Sequence, residues 1–268
     1  VCLSLEFHKP GNRRKVDANK VLNSDADHKM LSVSKKLMDS LEFRAIESLD
    51  GEVTRWLKLR SLPGIFRAGV CLIPVALIST VDEYLTKRNE ERVVLINNLE
   101  SAYPSLVEIA KLRLKSLFNL AEYPPFRVIR MSFGMRWFWL EFATPESLVG
   151  VSKDLFTKER EKIANSWQET LEEGKATLRA GFAELVHHMA DRLSNPTKVF
   201  HDSMVDNFRE WLGTFALRNL ADDVDLVVQV QKARAALSNV NPDTLREAVF
   251  LRKEVATTMT QMAVTLDA

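Results

Sequence analysis

Apolar and polar residues alternate through VCLSLEF (1–7), the period of a half-buried strand. Residues 10–33 lose that pattern. They open on the turn signal Pro10-Gly11-Asn12 and read as an irregular excursion. From Lys35 the apolar positions take a helical step through Leu37, Leu41, Ala45, Leu49, Val53, Trp56 and Leu57, and the pattern stops at Pro63-Gly64. A short buried strand follows over 69–73. Residues 74–104 then read as a long helix with Pro74 in its first turn, and Pro104 opens another helix to about Asn119.

The stretch FRVIRMSFGMRWFWLEF (126–142) holds six of the chain's 22 aromatic residues. Gly134 near its middle predicts a bent strand, or two short strands about a bulge. Trp137 and Trp139 share one strand face, while Phe138, Leu140 and Phe142 share the other. A strand apolar on both faces is buried on both, or buried on one and engaged with a partner on the other. Thr144 as cap and Pro145 at the first position then start a helix of roughly 40–50 residues, to Asn195-Pro196. Its apolar positions include Leu155, Ile163, Trp167, Leu171, Leu178, Phe182 and Leu185, with Glu159 and Gly174 filling two gaps. The mean step exceeds 3.6, which disfavours a tight left-handed coiled-coil dimer. Further helices are predicted from Pro196 to about Leu217, near 223–237, and over 242–265.

The pattern predicts a mainly α (α+β) fold: a long helical arm or bundle with a small β element of about three short strands, from 1–7, 69–73 and 126–142. Residues 1–143 read as a mixed α/β body, and 144–268 as the long-helix arm with the C-terminal helices. Nine glycines in 268 residues are about half the usual share of roughly 7%, which favours long helices over turn-rich β structure.

Charge changes the picture little. The net charge of +1 gives no strong overall field for nucleic acid. Residues 1–70 carry 13 basic and 9 acidic side chains, and residues 148–268 carry 15 and 18. Cys2 and Cys71 are too few for a disulfide framework or a zinc site, and free thiols fit a reducing cytoplasm. The longest apolar run, GVCLIPVALI (69–78), is about half of the roughly 20 residues a membrane span needs. No signal peptide is visible, and a start at Val1 rather than Met is read as the loss of a few N-terminal residues.

The chain shows no P-loop, GxGxxG, HExxH, GxSxG or CxxC pattern, and no cofactor is expected. His187 and Asp191 share a helix face, with His201 as a conceivable third metal ligand. They are read instead as surface groups, and no metal is expected. Glu172-Glu173 and Asp222-Asp223 are read as solvated or helix-start carboxylates rather than acid/base pairs. Arg13, Arg14 and Lys15 form a basic run after a turn, and Arg130 and Arg136 lie among the aromatics. An RNA-recognition strand laid on Met131–Phe138 matches only at Phe133, Gly134 and Phe138. The aromatic stretch is weighed first as core, second as a protein interface and third as a nucleic-acid surface.

The order of features is similar to that of a family of unknown function found in bacteriophages, plasmids and integrative elements (domain of unknown function 3150). The resemblance is carried by LKLRSLPGIFRAGVCLIPVALISTVDEYL, LESAYPSLVEIAKLRLKSLF, AEYPPFRVIRMSFGMRWFWLEF, AELVHHMADRL and FHDSMVDNFREWL, and covers nearly the whole chain. Its most specific pieces are the apolar strand ending in Pro74, Ala102-Tyr103-Pro104, and Tyr123-Pro124. It implies a gene neighbourhood with a MoxR/CobS-like AAA+ ATPase and a von Willebrand factor A protein. No catalytic residue carries over.

The first functional reading is therefore a non-enzymatic scaffold or adaptor of a phage or mobile element that binds protein partners and self-assembles. Its candidate contacts are Trp137, Trp139, Trp167, Phe182 and Trp211, since large aromatics dominate interface energetics. The second is a nucleic-acid-binding accessory protein for recombination or replication, using Arg13, Arg14, Lys15, Arg130 and Arg136. An enzyme is third.

Overall fold

The computed structural model describes residues 1–21, 26–64, 69–195, 198, 201–238 and 240–267. Strand β1 (Cys2–His8) leads into β2 (Arg13–Val16) and β3 (Val33–Lys36), then helix α1 (Leu41–Lys58). Strands β4 (Leu62–Pro63) and β5 (Val70–Leu72) precede helix α2 (Ile78–Leu114) and the short helix α3 (Phe126–Arg130). Strand β6 (Gly134–Leu140) is followed by α4 (Ser147–Val151) and the 42-residue α5 (Lys153–Ser194). Helices α6 (Asp202–Arg218), α7 (Val224–Leu237), α8 (Pro242–Glu247) and α9 (Val249–Asp267) complete the chain. The fold is mainly α with a small antiparallel sheet, as the pattern predicts.

The main sheet has the order β4-β5-β1-β6, and β2 and β3 pair separately. Register sets Cys2 opposite Leu72 and Leu3 opposite Cys71. Successive side chains point to opposite faces, so the two thiols lie on opposite sides of the sheet and cannot pair. Burial raises the pKa of both.

The chain forms two compact units. The larger gathers 1–4, 57–78 and 139–268, and the smaller gathers 5–56 and 79–138. The chain thus passes between them more than once, where the sequence reading drew one boundary after residue 143. In the larger unit α5 is buried along Leu178, Phe182, Val186, Met189 and Leu193, against α6, α7 and α9. Gly174 fills its gap in the stripe for a reason: a Cβ there would lie 3.0 Å from the Leu62 side chain, so α5 approaches β4 closely. The smaller unit centres on Phe43, Ile46, Leu99, Tyr103, Phe126 and Ile129.

Several boundaries differ from the sequence reading. The helix expected from Lys35 starts at Leu41, because residues 33–36 pair with β2 and the Asn12 side chain clamps Met38 through two 2.7 Å bonds. Ser40 Oγ then accepts from Phe43 N–H at 3.1 Å and opens the helix. The excursion over 10–33 therefore contains a strand.

Pro104 lies inside α2 rather than at a helix start. A mid-helix proline costs about 3 kcal/mol. The buried stripe Ile96, Leu99, Tyr103, Ala110 runs straight through it and holds the helix together.

The stretch 126–142 is helix, turn and strand, not two strands, since Phe126 and Ile129 bury as a helical pair. The helix expected from Thr144 begins instead at Ser147 and breaks at Ser152, whose backbone is extended and whose hydroxyl caps α5 by accepting from Leu155 N–H at 3.2 Å. The single helix expected over 242–265 is two, broken at Ala248, with Asn241 and Thr244 forming a capping box at the start of α8. Pro196 and Val199 lie outside the described residues.

Candidate functional site

The five aromatic candidates do not form one surface. On β6 the burial alternates: Met135 is buried and Trp137 and Trp139 are half-buried, while Arg136 and Phe138 face solvent. The Trp137 indole donates to Asp82 Oδ1 at 2.9 Å, which fixes it within the smaller unit. The exposed aromatic of this strand is therefore Phe138, half accessible, rather than either tryptophan.

In the larger unit the Trp167 indole donates to the Phe142 carbonyl at 3.3 Å. Phe182 and Trp211 are 0% and 5% exposed and touch ring to ring at 5.5 Å. No second protein reaches these two. The helical period that made them prominent in the sequence is the period of the core stripe itself.

The basic candidates separate too. Arg13, Arg14 and Lys15 lie on β2 and are exposed. Arg14 turns back onto the Gly11 and Arg13 carbonyls. Arg130 is held by Glu100 at 2.7 Å and Asn97 at 2.8 Å, and Arg136 faces solvent from β6. What the sequence reading missed is Lys36, which β3 brings directly opposite Arg13. A strand partner more than 20 residues away leaves no local signal.

Among the described residues no group of three or more His, Cys, Asp or Glu side chains is arranged to hold a metal ion. His187 Nε2 lies 3.1 Å from Asp267 Oδ1, and Asp191 is paired with Lys198 at 2.6 Å, which holds its carboxyl below the usual range. Asp223 binds Arg179 through two bonds of 2.6 and 2.7 Å and caps α7. That pairing also lowers its pKa. Glu172 and Glu173 are solvated.

Two open depressions mark the larger unit. One, of about 370 Å³, is lined by residues including Arg179, Asp225, Gln229 and Thr265. The other, of about 560 Å³, is lined by residues including His187, Asp191, Asn195 and Thr260. The Thr260 and Thr265 hydroxyls are bonded to the carbonyls one turn back, and His187 to Asp267, so among the described residues neither threonine is set on a base.

The larger unit does carry exposed apolar surface. Val149, Val151 (76% exposed) and Leu155 face solvent where α4 meets α5. From Lys153 to Glu169 the helix has no buried residue, although Phe156, Ile163 and Trp167 continue its apolar stripe. Among the described residues no helix is long and apolar enough to cross a membrane. Comparison finds no family model, no curated protein and no solved structure that matches the chain significantly.

Proposed function

We propose that the protein is a non-enzymatic scaffold or adaptor that binds a protein partner through the start of α5. The observation that carries this reading is the exposed apolar group Val149, Val151 and Leu155 where α4 meets α5, continued along α5 by half-buried Phe156 and Ile163. Leu155, Phe156 and Ile163 lie on the same helix whose second half buries the stripe Leu178 to Leu193. A helix with an apolar stripe is stable there only if something covers it, and a partner helix or groove is the natural cover. The resemblance to the phage and mobile-element family supplies the expected partners: a MoxR/CobS-like AAA+ ATPase and a von Willebrand factor A protein. Association with further copies of the same chain is the second way to cover the stripe.

The test is affinity capture from cells carrying the native element, with nuclease-treated and untreated halves, comparing wild type with V151D/L155D. Both positions are exposed, so the variant should melt within about 1 °C of wild type. Recovery of an ATPase or von Willebrand A protein in both halves, lost in the variant, is the expected result. A partner retained by V151D/L155D, or recovered only without nuclease, overturns the reading.

A further inference from the structure

The ribbon β2/β3 of the smaller unit is two-faced. Register pairs Arg13 with Lys36, Arg14 with Lys35, Lys15 with Ser34, and Val16 with Val33. Opposite residues share a face and neighbours alternate, so Arg13, Lys15, Ser34 and Lys36 form one face, and Arg14, Val16, Val33 and Lys35 the other. Three residues of the second face turn inward, Val16 and Val33 half-buried and Lys35 reaching Glu122 at 2.6 Å and the Leu117 carbonyl, while Arg14 stays exposed. On the first face all four residues are exposed.

That outer face is built against its own stability. Leu37 N–H donates to the Asn12 carbonyl at 3.0 Å, so the 12/37 pair is hydrogen-bonded and Arg13/Lys36 is the closer, non-bonded kind, with Cα atoms about 4.5 Å apart. Like charges placed directly opposite destabilise a ribbon. Among the described residues none of Arg13, Lys15 and Lys36 has an ion-pair partner.

Asp39, three residues beyond Lys36, is already held by Arg113 at 3.2 Å and Arg44 at 3.8 Å. Arg113, followed by the charge of Lys36, pulls its carboxyl below the usual range. Lys36, Arg44 and Arg113 thus share the Asp39 carboxylate, while Arg13 lies across the ribbon from Lys36 and Lys15 two residues further along the same face, on a chain whose net charge is +1.

We infer that this face, Arg13, Lys15 and Lys36 with Arg44 and Arg113, is a contact surface for the phosphate backbone of duplex DNA, gripped without regard to sequence. Duplex DNA carries one negative charge per roughly 1.7 Å of axis, dense and rigid enough to meet a fixed lattice of cations. Single strands are held by aromatic side chains that stack bases, and the outer face has none. A protein partner would need an apolar anchor at the centre of the contact, and the face has none of those either. The inference is independent of the adaptor reading, which rests on the larger unit.

The experiment is fluorescence anisotropy of a labelled 30-base-pair mixed-sequence duplex with the whole chain, titrated at 50 to 200 mM salt. Each neutralised phosphate contributes about 0.9 to the slope of log K against log salt. Five cations therefore give a slope of about −4.5, and roughly a 500-fold loss of affinity over that range. R13Q/K15Q/K36Q should flatten the slope by about 3 and weaken binding at least tenfold at 50 mM salt. Its melting temperature should not fall, since the substitutions relieve repulsion. The control K158Q/K162Q, on α5, should leave the slope unchanged.

No binding at 50 mM salt overturns the inference, as does a slope equal in wild type and R13Q/K15Q/K36Q. Polyglutamate of matched charge competing as well as unlabelled duplex also overturns it, in favour of an acidic partner.

Discussion

Among the described residues each unit buries one arginine, and the two are treated in opposite ways. In the smaller unit Arg92 is 1% exposed. Its Nε donates to Asp50 Oδ1 at 2.7 Å, and one terminal nitrogen donates to Asp50 Oδ2 at 3.2 Å and to the His8 carbonyl at 3.0 Å. The Phe7 and Phe133 rings lie 5.9 and 5.8 Å from the guanidinium carbon. In the larger unit Arg218 is 4% exposed. Among the described residues it meets no carboxylate: it has a 3.4 Å bond to the Trp211 carbonyl, the Trp211 ring at 5.1 Å, and an Nε with no acceptor. Burial, then the nearby charge of Arg60, pushes its pKa down to about 10. Burying a charge costs several kcal/mol unless a counter-charge and hydrogen bonds offset it. Arg92 ties three chain segments together, whereas Arg218 is tolerated by the packing around it.

Breaking the satisfied site should have the largest effect. Asp50→Ala leaves Arg92 buried and uncompensated, and should cost about 3–5 kcal/mol in urea unfolding. A loss under 1 kcal/mol would mean that the aromatic rings and the His8 carbonyl suffice. The unsatisfied site should respond with the opposite sign. Arg218→Met keeps the bulk, removes the charge, and should stabilise by about 1–3 kcal/mol. Destabilisation would show that the Trp211 contact outweighs the cost of burial.

High pH sharpens the contrast with a smaller effect. Because the folded pKa of Arg218 lies below the unfolded value, the unfolded chain binds more protons from about pH 10 upward, and this contribution to stability rises with pH there. The gap between wild type and Arg218→Met should therefore narrow by about 1 kcal/mol from pH 9 to 11, and be flat below pH 9. The smallest effect belongs to the other satisfied groups of the smaller unit. The Tyr123 hydroxyl donates to the Leu37 carbonyl at 2.8 Å and the Tyr103 hydroxyl to the Pro124 carbonyl at 2.9 Å. Tyr123→Phe should cost about 1 kcal/mol, measured by thermal unfolding.

Long amphipathic runs were legible in the sequence, and so was the α5 stripe from Leu178 to Leu193, because a helical period needs only local residues. Neither arginine was legible. Arg92 sits in the charged run KRNEER and looks solvated, and Arg218 sits at a helix end, where a cation is ordinarily favourable. Asp50 is 42 residues from Arg92, a pairing that only tertiary structure creates. The β2/β3 ribbon was missed for the same reason: Arg13 and Lys36 become neighbours through register alone. Phe182 and Trp211 were misread as adhesive because size and periodicity mark a core and an interface alike.

The split character of α5 has a consequence in time. From Thr170 onward its helical bonds are covered by other helices, so those amides should exchange with solvent only when the larger unit opens as a whole. Ahead of Trp167 the same unbroken helix buries no residue, and its turns can open one by one from the Ser152 cap. One secondary-structure element thus contains two dynamic regimes, and occupation of its first half by a partner would register as protection appearing only there.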